Sequence, residues 1–254
     1  MSTMAVSPSA PEPEPLSTTG RIVNTLVAPS KTFLDLKRKT TWTSWFAPWL
    51  VIVAVSLGYA AVVAQKVGFE QVLQNNLQAS PKQAEQVEKL PPEQRAQQMK
   101  ISFGITKAIT YGFSLLVLVG AVLVGGLLMA TFNFGAGAEV SFKTSLAIVM
   151  YSSLMGAVGD ALAMVSLLVG ADPEGFFIQN PVATNPAYFM NPADSPALYA
   201  FLASLNVISI WKWVLYAIGF SCVSKMNKGT TLTVAFAWFL LITLIQVGFA
   251  AAFN

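Results

Sequence analysis

Apolar positions along this chain gather into five long runs separated by polar connections: residues 45–65, 108–132, 144–170, 198–223 and 230–251. Each run is near or above the ~20 residues that a helix needs to cross a ~30 Å hydrocarbon core. The runs are continuous and lack the period-two alternation of a barrel strand, so they argue for helices and against a β-barrel. The pattern predicts an all-α integral membrane protein, a five-transmembrane-helix bundle with a small extramembrane helical hairpin.

The connections have characters of their own. Residues 1–20, with Pro11, Glu12, Pro13, Glu14 and Pro15, read as a disordered polar leader, without the apolar core of a cleavable signal. Residues 21–44 form a juxtamembrane amphipathic segment. In it Ile22, Val23, Leu26 and Val27 recur at helical spacing before Pro29. Ser30 is the expected N-cap of a second turn carrying Phe33, Leu34 and Leu36 beside Lys31, Lys37, Arg38 and Lys39. Such a segment either lies in the headgroup layer against anionic lipid or only fixes topology. Trp42, Trp45 and Trp49 mark the interface beside it.

The 66–107 connection continues a helical stripe through Phe69, Val72, Leu73 and Leu77. It restarts a helix at Ser80-Pro81-Lys82-Gln83 and breaks at Pro91-Pro92. A helix beginning at Glu93 then runs into the second span. This Gln-rich insertion has too few apolar residues to fold alone and should lean on the bundle or on a partner. Residues 171–197 contain Asn-Pro three times, at Asn180, Asn185 and Asn191, and read as an ordinary interfacial loop; a structured lid is the alternative. Residues 45–251 are thus one membrane domain with an external insertion at 66–107.

Composition agrees with the pattern: 54% of residues are apolar and 11% charged, against about 25% charged in ordinary soluble domains. The distribution of charge sets the orientation. Arg21, Lys31, Lys37, Arg38 and Lys39 precede the first span, Lys143 lies between spans two and three, and Lys225 and Lys228 lie between four and five. The connection between spans three and four has Asp172, Glu174 and Asp194 with no Lys or Arg. By the positive-inside rule the N-terminus is cytoplasmic and the C-terminus external. The 66–107 connection carries six basic residues against this, spread out and offset by Glu70, Glu85, Glu88 and Glu93.

Candidate chemistry is sparse. There is no histidine, and Cys222 is the only cysteine, a packed thiol unless it serves redox or acylation chemistry. No phosphate-cradling glycine loop is present, so no catalytic residue, metal site or cofactor is expected. Two ionisable residues fall inside spans, Asp160 and Lys212. Burying either alone costs about 2.5–3.5 kcal/mol, so each should face the bundle and seek a partner. Counted from the outer ends of spans three and four, both lie at similar depth, which predicts an intramembrane Asp160–Lys212 ion pair, structural or part of a proton or ion relay. Alternatively, Trp211-Lys212-Trp213 marks an interface and 198–210 is a re-entrant segment. Small residues at Ser152, Gly156 and Ala157 in span three and Gly125 and Gly126 in span two give helix-packing faces. Lys37, Arg38, Lys39, Trp42 and Trp45 are the candidate lipid and interface contacts.

The stretch Asn206-Val207-Ile208-Ser209-Ile210-Trp211, followed by Leu215 and Ile218-Gly219-Phe220, resembles the penultimate span of Yip-type (Ypt/Rab-interacting) five-span membrane proteins of the bacterial branch. The basic turn to Gly229, the terminal final span, and Pro29 with Phe33 ahead of the first span also match. The resemblance covers most of residues 20–251. It implies five spans, a cytoplasmic N-terminus, an external C-terminus and a bacterial inner membrane. Eukaryotic relatives bind small GTPases and assist vesicle traffic; their Asp-Leu-Tyr-Gly-Pro type motif is absent here, which argues against GTPase binding.

The leading functional expectation is therefore a non-enzymatic membrane scaffold or partner-binding protein in membrane organisation or trafficking. The alternative is a small-solute or ion transport component using Asp160 and Lys212. Expected partners are membrane lipid, an unidentified protein and a further copy of the chain, with no nucleic acid. A scaffold predicts a dry interior with the two charges paired, whereas a transporter predicts a water-accessible cavity reaching Asp160.

Overall fold

The computed structural model describes residues 14–253 and, among them, the chain is helical throughout with no strand. The first thirteen residues of the expected leader lie outside the described residues. Its last three do not fit that description, because helix α1 (Thr18–Val27) begins at Thr18, where Ser17 accepts a hydrogen bond from the Gly20 amide at 3.0 Å. Pro29 opens α2 (Pro29–Arg38), so Ala28 and not Ser30 holds the N-cap position.

Among the described residues, four helices are long and apolar enough to cross a membrane: α3 (Phe46–Lys66), α6 (Pro92–Ala130), α7 (Phe142–Leu168) and α10 (Lys228–Phe253). A fifth crossing exists only if α8 (Pro196–Ser204) and α9 (Val207–Val223), bent by 50° at Leu205–Asn206, count as one span. The single run at 198–223 is thus a broken helix. The chain is a multi-pass membrane protein.

Helix α7 is the centre of the bundle. It packs against α3, α6 and α9, and its Leu146–Tyr151 stretch is buried almost completely. α9 in turn carries α10, which otherwise presents Leu240, Leu244, Ile245 and Phe249 outward, as a lipid-facing helix must. α7 and α9 run antiparallel at very close range. A Cβ on Gly219 would stand 2.5 Å from Ile148 Cγ2, and one on Gly159 would stand 3.4 Å from Ile208 Cδ1. The eleven-residue step from Ile148 to Gly159 therefore matches the eleven-residue step from Gly219 back to Ile208, which fixes the register.

The two ends of the bundle differ. At one end, α1 and α2 fold into a hairpin against α9 and α7, with Phe33 and Leu36 wholly buried in the main core beside the stacked rings of Phe132 and Phe220, 4.2 Å apart. The apolar face of this segment packs on protein and not on headgroups. A part-buried ion pair locks it, Arg21 Nε to Asp35 Oδ2 at 2.6 Å, while Asp35 Oδ1 accepts the Leu16 amide at 3.0 Å. Only Val23, Leu26, Val27 and Leu34 remain as outward apolar positions, beside exposed Lys31 and Lys37.

At the other end lie α4 (Phe69–Gln78), α5 (Pro81–Glu88), the start of α6 and the loop between α7 and α8. Gly68 and Gly170, at φ 84° and 102°, turn the chain just beyond α3 and α7 with the left-handed backbone that glycine adopts without strain. Ser80 and Pro81 occupy the cap and first positions of α5, though Ser80 makes no side-chain cap bond. α4 does lean on the bundle: Phe69 and Val72 join a second core with Tyr59, Val63 and Leu167, and α4 also packs on α6.

Candidate functional site

In α3, Ser56 and Tyr59 are polar interruptions of an apolar run, three residues apart and so on one face of the helix. α7 presents Gly156, Gly159 and Asp160 to the same space, and Ser56 Oγ donates to Asp160 Oδ2 at 3.1 Å. These residues wall a cavity of about 580 Å³ between α3, α6, α7, the start of α9 and the loop at 178–184. Ile105, Ile109 and Phe113 of α6 supply an apolar side, with Ile178, Val182 and Ile208 facing in as well. Among the described residues, two buried polar side-chain atoms have no hydrogen-bond partner, Tyr59 Oη and Asn76 Oδ1; both residues line this cavity, but neither of these atoms is open to it. Tyr59 is only 8% exposed. An unpaired buried polar group ordinarily costs about 1–3 kcal/mol, so these two atoms are a local cost in the packing behind the wall.

The loop over this cavity is a built lid and not the simple interfacial connection expected. Asn180 and Asn185 bond each other reciprocally through their amides, at 3.2 and 2.6 Å, and Asn180 also donates to Tyr199 Oη at 3.1 Å. Two of the three Asn-Pro dipeptides are thus interlocked. Asn75 of α4 donates to the Pro173 and Phe176 carbonyls at 2.9 and 2.7 Å. Asn206, at the break, ties lid to helix: its Oδ1 accepts the Ile208 and Ser209 amides, capping α9, while its Nδ2 donates to Thr184 Oγ1 at 2.7 Å. The Val207 amide adds a bond to the Thr184 carbonyl at 3.0 Å.

The structure does not bring Asp160 and Lys212 together. The ion pairs among the described residues are Arg21–Asp35 and an exposed Lys89–Glu85. The register explains it. Met155 stands across from Lys212, five residues from Asp160, an axial offset of about 7.5 Å at 1.5 Å per residue. Equal depth would have required a straight span four, and the 50° bend removes that premise. Lys212 instead lines a second cavity of about 590 Å³ between α8, α9 and α10, with Tyr199, Tyr216 and Gln246. Ser209 and Gln179 line both cavities, so the two charges lie on either side of a shared polar wall.

The remaining candidate residues fall as follows. Gly125 meets the Leu146 backbone, its added Cβ standing 3.4 Å from Leu146 Cα, and its carbonyl accepts from Ser145 Oγ at 2.7 Å. Gly126 faces the Phe142 ring, Ser152 is buried and bonds back to the Ile148 carbonyl, and Ala157 sits in the main core. Gly156 is no packing glycine: nothing stands within 4 Å of its Cβ position, and it opens on the cavity. Lys37, Arg38 and Lys39 are exposed on the hairpin side, with Trp42, 63% exposed, and half-buried Trp45 beside them. Trp49 donates its indole N–H to the Ser114 carbonyl at 3.0 Å, tying α3 to α6. Cys222 is half-buried against the main core.

Ser56, Tyr59 and Asn76 were not singled out from sequence. The signal was present in the first two, as polar residues at i and i+3 in a span, but Asn76 lies in an insertion whose docking only the fold reveals. Among known proteins, one family model matches, the Yip1 domain, over residues 23–249. No curated protein and no solved structure matches the chain.

Proposed function

The chain belongs to the Yip1 domain family, and from that footing we propose that its bundle holds a small solute in the cavity at Asp160, as a non-enzymatic transport component does. A dry interior with paired charges would favour a scaffold. What supports the solute reading is the reverse: Asp160 faces a roomy cavity, apart from Lys212. A helix broken at membrane depth fits this, since irregular backbone is tolerated there where it lines a cavity.

The orientation proposed is N-terminus cytoplasmic and C-terminus external, in a bacterial inner membrane. Its support is the basic hairpin with Lys143, Lys225 and Lys228 at one end, and the acidic loop residues Asp172, Glu174 and Asp194 at the other. The lidded cavity then opens toward the outer side. The test replaces Cys222 with Ser and introduces Gly156→Cys, which the open space accommodates. A water-soluble thiosulfonate added outside intact cells should modify it; complete protection under conditions that label a loop cysteine would sink the solute reading.

A second reading, a scaffold of membrane organisation or trafficking, has its own observation. The docked hairpin leaves Val23, Leu26, Val27 and Leu34 uncovered beside Lys31. A protein partner, a further copy of the chain or lipid would each fit such a face. Residue-specific photocrosslinking from Val27 in native membranes discriminates: one protein adduct of fixed stoichiometry supports the scaffold, and lipid adducts alone count against it.

A further inference from the structure

We propose that the outward face of the α1–α2 hairpin is a binding surface for anionic lipid headgroups. It lies at the opposite end of the bundle from the Asp160 cavity, so it stands whether or not that cavity holds a solute. Burial divides each helix of the hairpin in two. Thr25, Thr32, Phe33, Asp35 and Leu36 are turned into the protein. Val23 and Val27, one turn apart on α1, are 51% and 74% exposed. On α2, Leu34 is 49% exposed, between exposed Lys31 and Lys37 three residues to either side. The outward stripe is thus apolar on one helix and Lys-Leu-Lys on the other.

The depth of the hairpin decides what this face meets. Helix α7 has 27 residues, about 40 Å at 1.5 Å per residue, which matches a bilayer with its headgroup layers. Arg21 of α1 reaches Tyr151, nine residues beyond Phe142 and so about 14 Å along that helix. Each headgroup layer is only about 5–7 Å thick. α1 therefore lies beside the helices at headgroup depth and not above them in water. The chain that follows agrees. Lys39 is seven residues from Phe46, where α3 begins the exposed stripe Phe46, Leu50 and Leu57 that faces lipid.

Charge selects the lipid. Residues 15–65 contain one carboxylate side chain, Asp35, and Arg21 and the Leu16 amide engage it. Exposed Lys39 follows Lys31 and Lys37, and the turn into α10 adds exposed Lys225 and Lys228. The charges of Lys37 and Lys228 both act on Cys222 near the end of α9, so the fold gathers cations from distant parts of the chain. Against them at this end stand exposed Glu14 and Glu139. A protein partner would need a complementary acidic face, whereas an anionic leaflet is in place at this depth from insertion onward.

In a Cys222→Ser background, Val27→Cys would carry a bimane label in nanodiscs of phosphatidylcholine and phosphatidylglycerol. Bromine on the upper acyl chain of the lipids should quench it, and aqueous iodide should quench it less than a label on Glu139→Cys, an exposed turn position. Free quenching by iodide with none by brominated lipid would place the face in water and overturn the lipid assignment. Brominated phosphatidylglycerol should show a relative association constant roughly fivefold above that of brominated phosphatidylcholine, the gain expected of one lysine at an anionic surface. Lys31→Gln, Lys37→Gln and Lys39→Gln together should bring that ratio toward one. All three lysines are exposed, so the variant should keep its fold. Equal association of the two lipids, or a ratio unchanged by loss of the lysines, would overturn the charge assignment. One protein adduct of fixed stoichiometry from a photocrosslinker at Val27 in native membranes would give the face to a partner and overturn the proposal.

Discussion

Gly219 shows how little room separates the two central helices. Adding one methyl there places carbon 2.5 Å from Ile148 Cγ2, and the opposing atoms belong to a side chain buried on every side. Gly219→Ala should therefore destabilise the bundle by about 1–3 kcal/mol, measured by unfolding in mixed micelles. In an Ile148→Ala background the same change should cost less, because that variant lacks the Cγ2 and Cγ1 that the added methyl meets. Gly156→Ala, which meets open space, should be close to neutral for stability. Asp35 gives a second residue-scale expectation. With its side chain 7% exposed, Asp35 bonds both Arg21 and the Leu16 amide, so Asp35→Ala should cost about 1–3 kcal/mol. The readout is faster hydrogen exchange across residues 18–38, with α7 unchanged. Sequence gave the small residues of α7 and α6 but not which of them touch: Gly125 and Gly156 look alike in a string, yet one meets backbone and the other a cavity. Facing partners are set by helix register, and register is fixed here by contacts between helices, such as Gly125 with Leu146 and Gly219 with Ile148.

Among the elements, the break between α8 and α9 was the least legible. Asn206 reads equally as a polar residue inside a span or as the cap of a new helix, since hydropathy averages over it. What decides is Thr184, twenty-two residues upstream, which takes both the Asn206 side chain and the Val207 amide. Asn206→Leu would extend the apolar run while deleting the α9 cap and the tie to the lid. About 1 kcal/mol should be lost at the cap, with faster hydrogen exchange at 180–185 and 207–209. Unchanged exchange in the lid would show that the tie is not what holds it. The amphipathic pattern of 21–39 was correctly seen as helical, but its destination was not. An apolar stripe beside lysines suits a headgroup layer and a protein groove alike, and the part-buried Arg21–Asp35 pair that chooses the groove spans fourteen residues across a turn.

At the scale of the whole molecule, hydropathy sufficed, because several helices of ~20 or more apolar residues leave few alternatives to a membrane bundle. The two ends are chemically distinct, and the orientation they support is open to a direct check. In a Cys222→Ser background, Glu88→Cys should react with an impermeant maleimide on intact cells, and Lys39→Cys only after permeabilisation; the opposite pattern would invert the assignment. The docked N-terminal hairpin has a further consequence, in time. Phe33 and Leu36 leave the ribosome early, yet the α9 surface that buries them is completed roughly 185 residues later. At synthesis rates of about 5–20 residues per second that interval is on the order of 10–40 s. For that long the hairpin exists without its groove, so its docking is among the last events of assembly. Truncated nascent chains ending before Val207 should leave residues 18–38 open to protease, and chains released beyond Val223 should close them.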